Sequence, residues 1–330
     1  EMEADGLENV HAEDVMVPKW VRGNESAQMI SPWKKKLDML GLGGSIGTGP
    51  NGITSEVVVV SSFEDLEARA SEAKGKIVLF NVPFTSYGQT VQYRSGGAIA
   101  ASKAGALGSI IRSVGPFSMN TPHTGGMRYE EGVRKIPHAA ITVEDAAMIA
   151  RMVNRGQSVK IKLYMEGKFE PDALSRNVMG EITGSEFPNE VIVLGGHIDS
   201  WDLGQGAQDD GAGCAHAMQV PNLLKQVGYE HHRTIRVVLW ANEEFGLDGA
   251  KEYANWARMN NVHHWVALES DGGAGVPRGF GVGADDDRVA QVQAMKPYFV
   301  PYGLHEFAKG GGGADLSPLR GHDDFFVGFR

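Results

Sequence analysis

This chain is poor in the chemistry on which thiol and basic proteins depend. Cys214 is its only cysteine, so it has neither a disulfide framework nor a thiolate metal cluster, and any metal site must be built from histidine and carboxylate. A formal net charge of -10 leaves no basic patch to neutralise phosphates and argues against a nucleic-acid partner. No apolar run approaches the roughly 18 to 20 residues that span a bilayer, and no signal peptide is visible at Glu1, which reads as an internal start. A His-Glu-x-x-His helix and a Walker loop are missing, and no Gly-x-Ser-x-Gly forms a strand-to-helix elbow, since Gly43–Gly47 fits that spacing only within a Gly-rich loop. Serine hydrolase, thermolysin-like protease and kinase chemistries therefore drop out. Gly47, Gly49 and Gly52 match GxGxxG, but Pro50 and the strand-like Val57–Val60 that follow are wrong for a phosphate loop opening a helix.

What is present suits a globular chain of 330 residues with 42% hydrophobic content, enough for a sizeable core and more than one domain. Residues 1 to 54 read as the N-terminal part of a main domain. From Ser55 to Gly167 short β-rich runs alternate with amphipathic segments. Strands are expected at 57–60, 76–80, 108–111, 140–143 and 159–164, and helices near 63–73, 97–106 and 143–153. This stretch is large enough to fold as an inserted domain. Residues 168 to 330 carry a different rhythm, in which the apolar runs 191–194, 235–240 and 265–268 are separated by helix-like segments at 211–227 and 246–259. Buried strands alternating with helices predict an α/β fold around a largely parallel, helix-covered sheet. Ligands of such sheets bind beyond the carboxyl ends of the strands.

His197, the Glu243–Glu244 pair and Asp271 fall just after those strand ends, and Asp209 lies in the Gly-rich turn Gly206–Gly211. Taken singly, a histidine after a strand is usually structural, a Glu-Glu pair is usually a solvated helix start and Asp-Asp-Gly is usually a turn. Together they match a two-zinc hydrolase. Two zinc ions roughly 3.5 to 4 Å apart share and acidify one water while polarising a carbonyl, and one carboxylate must bridge them. Asp209 is the expected bridge, because glycines let its turn fold tightly toward the metals. His197 and Asp271 complete one zinc, Glu244 ligates the other, and the unligated Glu243 is the general base. Asp199 is expected to receive the second imidazole N–H of His197 and fix its orientation. The pairs His231–His232 and His263–His264 look like surface connections, and His123 sits in the insert. Cys214 is most simply a small core residue.

The stretches Gly6–Val10, Leu40–Thr48, Thr90–Arg94, Ile136–Pro137, Ile141–Ala146, His197–Asp202 and Gly204–Ala207 resemble the co-catalytic zinc aminopeptidase and glutamate carboxypeptidase family. The likeness runs from near Gly6 to about Asp315. It implies a protease-associated insert on a zinc-exopeptidase domain, two zinc ions and hydrolysis of dipeptides or short peptides with a free amino terminus. It also implies a homodimer and a secreted or lysosomal setting, in which Asn24 of Asn24-Glu25-Ser26 is a glycosylation acceptor. Metal roles for His197, Asp209, Glu244 and Asp271, and the base role for Glu243, carry over onto matching positions. The family's fifth ligand, a second histidine, belongs to a segment beyond the point where this chain ends, so the carboxyl terminus is expected to be incomplete. After Asp315 the likeness fades. His322 is the one histidine there to be considered as a substitute, and the alternative to an exopeptidase is a catalytically impaired or non-catalytic binding protein on the same scaffold.

Overall fold

A computed structural model describes residues 1–329. The chain divides into two compact units, one formed by Glu1–Val17 with Asp172 onward, the other by Pro18–Pro171.

The first unit is built on an eight-stranded sheet. Its order is Glu8–Val21, Lys168–Ile182, Arg233–Trp240, Phe187–His197, His263–Glu269, Phe326–Phe329, Gly279–Gly283 and Glu306–Lys309. The central strands are the apolar runs of the sequence. Phe187–His197 pairs in parallel with Arg233–Trp240 on one side and His263–Glu269 on the other, and His263–Glu269 pairs in parallel with Phe326–Phe329. Lys168–Ile182 and Gly279–Gly283 join antiparallel, so the sheet is mixed, with a parallel centre. Helices cover it, as two buried faces require. Asp248–Met259 buries Ala250, Tyr253, Ala254 and Ala257 against Val193, Val238 and Trp240. Gly211–Gln226 lays Cys214 and Ala217 against Val237 and Leu239. Trp240 is fully buried, and a Cβ on Gly195 would strike its indole. The glycine in the neighbouring strand thus makes room for the largest side chain of the core.

The second unit has its own eight-stranded sheet, in the order Lys35–Leu37, Glu25–Ser31, Lys160–Met165, Ile53–Val60, Ile77–Phe80, Gly108–Arg112, His138–Ile141 and Met39–Gly41. It begins at Pro18 rather than at the Ser55 suggested by the change of rhythm, because Glu25–Ser31 hydrogen-bonds to Lys160–Met165 and Met39–Gly41 to His138–Ile141. Those pairings join residues 98 to 140 positions apart, which no local pattern reveals. One face is covered by Val143–Asn154, which buries Ala146, Ile149 and Met152. Thr142 caps this helix, its hydroxyl accepting from the Asp145 amide. The other face holds Leu66, Ala98 and Ala101 from the helices Phe63–Ala68 and Tyr87–Lys103. The latter starts ten residues before the expected Gly97, where Ser86 accepts from the Gln89 amide. The Gly47–Gly52 loop leads into the strand Ile53–Val60 and opens no helix.

Candidate active site

His197 is the last residue of its strand and is 1% exposed. Its imidazole is aimed by the backbone, with Nδ1 lying 2.9 Å from the carbonyl oxygen of Asp199. A proton on Nδ1 donates to that carbonyl and leaves Nε2 as the lone-pair donor. Nε2 faces two carboxylates, Asp209 Oδ1 at 3.1 Å and Asp271 Oδ1 at 3.4 Å. Among the described residues these three side chains form the one group whose donor atoms all lie within 4.8 Å of one another.

Each carboxylate arrives from the end of a different structural element. Asp209 precedes the helix Gly211–Gln226 and its side chain is 68% exposed. Asp210 beside it is buried and caps that helix, with Oδ1 accepting from the Gly213 amide at 3.0 Å and Oδ2 from the His197 amide at 3.1 Å. Asp271 follows the strand His263–Glu269. Glu243 and Glu244 open the short helix Glu243–Gly246 after the strand Arg233–Trp240, once Asn242 has turned the backbone through a left-handed conformation with φ 64°. Asn accepts this conformation more readily than most residues.

Asp199 differs from expectation. Its carboxylate does not serve the imidazole, since Oδ1 stands 3.8 Å from His197 Nδ1. Instead Oδ1 accepts from the Glu243 amide at 2.9 Å and Oδ2 from the Glu244 amide at 3.3 Å. Its backbone carbonyl orients the histidine, while its side chain holds the turn that carries both glutamates.

Negative charge is crowded here. The Glu243 carboxyl is pushed up to about 7, chiefly by burial and then by the surrounding carboxylates, with His197 opposing. Glu244 is likewise pushed up to about 7 by burial, with Asp209 and Glu243 adding to it. Its Oε1 is buried without a hydrogen-bond partner among the described residues. The His197 imidazole is pushed up to about 12: burial opposes its charge, but the Asp209 and Asp271 carboxylates outweigh that. A buried oxygen without a donor and several carboxylates competing for one imidazolium are what a bound cation relieves. The donors are imidazole nitrogen and carboxylate oxygen with no thiolate among them, a set that zinc accepts. Glu244 lies outside the tight group of three.

The remaining histidines lie elsewhere. His322 approaches the carbonyl of Val262 at 2.8 Å, just before the strand His263–Glu269 begins, whereas Asp271 follows that strand's other end. It therefore does not substitute for a second histidine ligand. His263 and His264 are not a loop connection: they open that strand, and His264 is buried between the Tyr253 hydroxyl at 2.9 Å and Asp323 Oδ2 at 2.7 Å. His231 is half-buried, with Nε2 2.9 Å from the Thr183 carbonyl, and His123 belongs to the second unit, where its Nδ1 is 2.6 Å from the Thr124 carbonyl.

A model of peptidase family M28 matches residues 177–308, a span containing His197, Asp209, Glu243, Glu244 and Asp271. Carboxypeptidase Q of Bos taurus is 47% identical over 317 residues, covering 96% of this chain and 67% of that protein. The chain belongs to peptidase family M28. Carboxypeptidase Q of Homo sapiens is 46% identical over 316 residues with the same coverage. The crystal structure of a peptidase M28 precursor from Shewanella amazonensis SB2B superposes with a TM-score of 0.92 at 36% identity, over 100% of this chain and 76% of that one. A zinc aminopeptidase from Bacillus subtilis shares the fold with a TM-score of 0.69 at 20% identity, over 99% of this chain and 76% of that one. Asp210 was not singled out from the sequence. Its only local signal is the Asp-Asp dipeptide, in which burial alone separates the two partners.

Proposed function

We propose that this M28 peptidase is a zinc-dependent exopeptidase that removes residues from dipeptides or short peptides with a free amino terminus. The observation that carries the reading is the approach of the Asp209 and Asp271 carboxylates to Nε2 of a buried, backbone-aimed imidazole.

His197, Asp209 and Asp271 would hold one zinc, and Asp209 with Glu244 would hold a second. Zinc bound there supplies Lewis acidity for the scissile carbonyl and lowers the pKa of water. Glu243 shares the short helical turn with Glu244 but stays out of the ligand set, so its carboxylate is free to take a proton from the attacking water and return it to the leaving amine. Asp199 keeps both glutamates in place through their amides. The second unit, which contains residues 55 to 167, acts as a protease-associated domain. No helix of the described chain is long and apolar enough to cross a membrane, and a secreted or lysosomal homodimer, glycosylated at Asn24, suits the carboxypeptidase Q likeness. A non-catalytic scaffold is the weaker reading, because the base and four ligand positions are all intact.

The test is hydrolysis of a panel of free-amino dipeptides by zinc-loaded protein, followed by chelation. Cleavage that chelator abolishes and zinc restores is expected. Absence of cleavage by protein carrying stoichiometric zinc would overturn the reading.

A further inference from the structure

The Asp210 side chain, 1% exposed, spans two segments that local sequence does not connect. Oδ2 accepts from the amide of His197, the final residue of its strand, and Oδ1 accepts from the amide of Gly213 in the first turn of the following helix. Room for this carboxylate has been cleared on both sides, since a Cβ on Gly196 or on Gly213 would collide with it. The preceding residue, Asp209, turns its own side chain the other way, toward His197 Nε2.

We propose that Asp210 is a positioning residue for metal binding: its carboxylate ties the strand end that carries His197 to the turn that carries Asp209, and so sets the spacing of those two donors. The inference rests on the reading of His197 and Asp209 as zinc ligands. The ring of His197 is already aimed through the Asp199 carbonyl, but that contact fixes direction only. The position of the residue's backbone relative to Asp209 is held by Asp210. Two N–H donors converge on two oxygens, so the chemistry calls for a carboxylate. Asparagine offers one acceptor oxygen and must turn its NH2 toward the other amide. Serine retains the capacity to cap the helix at the Gly213 amide, but its single short hydroxyl does not reach His197 as well.

The experiment compares wild type, Asp210→Ser and Asp210→Asn, reading zinc affinity by competition with a chromophoric chelator and metal-free stability by thermal melting. Both variants should bind zinc more weakly, by roughly 10 to 100-fold, the range typical of outer-shell partners of metal ligands. The serine variant, with its helix cap kept, should melt near the wild type when metal-free. Wild-type zinc affinity in either folded variant would overturn the proposal. So would a loss of affinity that simply follows the loss of metal-free stability. If both variants fail to fold, Gly196→Ala, which displaces the carboxylate without deleting it, provides the comparison: weakened zinc binding supports the tie and unchanged binding refutes it. A wild-type protein that takes up no zinc at all would sink the site reading, and this inference with it.

Discussion

His138 makes the second unit sensitive to acid, by an amount that follows from its surroundings. The side chain is completely buried in the sheet, with Nε2 3.1 and 3.2 Å from the carbonyl oxygens of Arg94 and Tyr93. Burial lowers its pKa from 6.5 to about 4, an effect only partly offset by those backbone contacts. The sign follows from proton binding. Between pH 6.5 and about 4 the unfolded chain carries a proton that the folded chain refuses, so stability is complete above 6.5 and falls as the pH falls. At 1.36 kcal/mol per unit, the loss is roughly 2 kcal/mol at pH 5 and about 3 kcal/mol once the pH is below 4. The assay is hydrogen exchange of the paired strands Gly108–Arg112 and His138–Ile141 across pH 4 to 8, corrected for intrinsic rates, in wild type and His138→Gln. The wild-type opening free energy should decline toward acid with a slope approaching one proton, and the variant should lose that component of the slope whatever its stability at pH 8. Equal slopes in the two proteins would show that His138 is not held neutral, and would refute the reasoning.

Other consequences are equally direct. Glu243→Gln should keep its zinc and its fold while kcat falls by about 10² to 10⁴-fold, the usual weight of a general base; metal content measured beside kcat checks this. Asp199→Ala removes the acceptor of two charge-assisted hydrogen bonds to the amides of Glu243 and Glu244 and should cost about 1.5 to 3 kcal/mol for each, read as a lower midpoint in urea. Tyr253→Phe deprives buried His264 of its hydroxyl partner and should destabilise the first unit by about 1 to 3 kcal/mol without changing zinc affinity. The Cys214 thiol, pushed up to about 12 by burial and then by the nearby Asp210 charge, should stay unreactive toward a disulfide reagent at pH 8 until the protein is unfolded.

The parallel centre of the first sheet was legible because its strands are short apolar runs divided by helical spacing. The rule that ligands gather past the strand ends pointed to His197 and Asp271, the Gly-rich turn pointed to Asp209, and the three side chains lie together. The contacts that were not legible depend on backbone position or on distant pairing. Nothing in the sequence distinguishes the carbonyl of Asp199 from its carboxylate as the partner of His197, and only the local path of the chain decides it. Asp209 and Asp210 are chemically identical, yet one is exposed and the other buried. The partnership of His264 with Asp323 spans 59 residues and makes a core network out of what reads as a loop. The extent of the second unit was hidden in the same way, in the pairing of Glu25–Ser31 with Lys160–Met165.

The central claim is that His197 and its neighbouring carboxylates hold zinc. Elemental analysis of protein dialysed against a limiting free-zinc buffer, comparing wild type with His197→Ala, tests it most directly. At least one tightly held zinc per wild-type chain, lost in a variant that remains folded, is the predicted result. Zinc retained in full by His197→Ala would contradict the account.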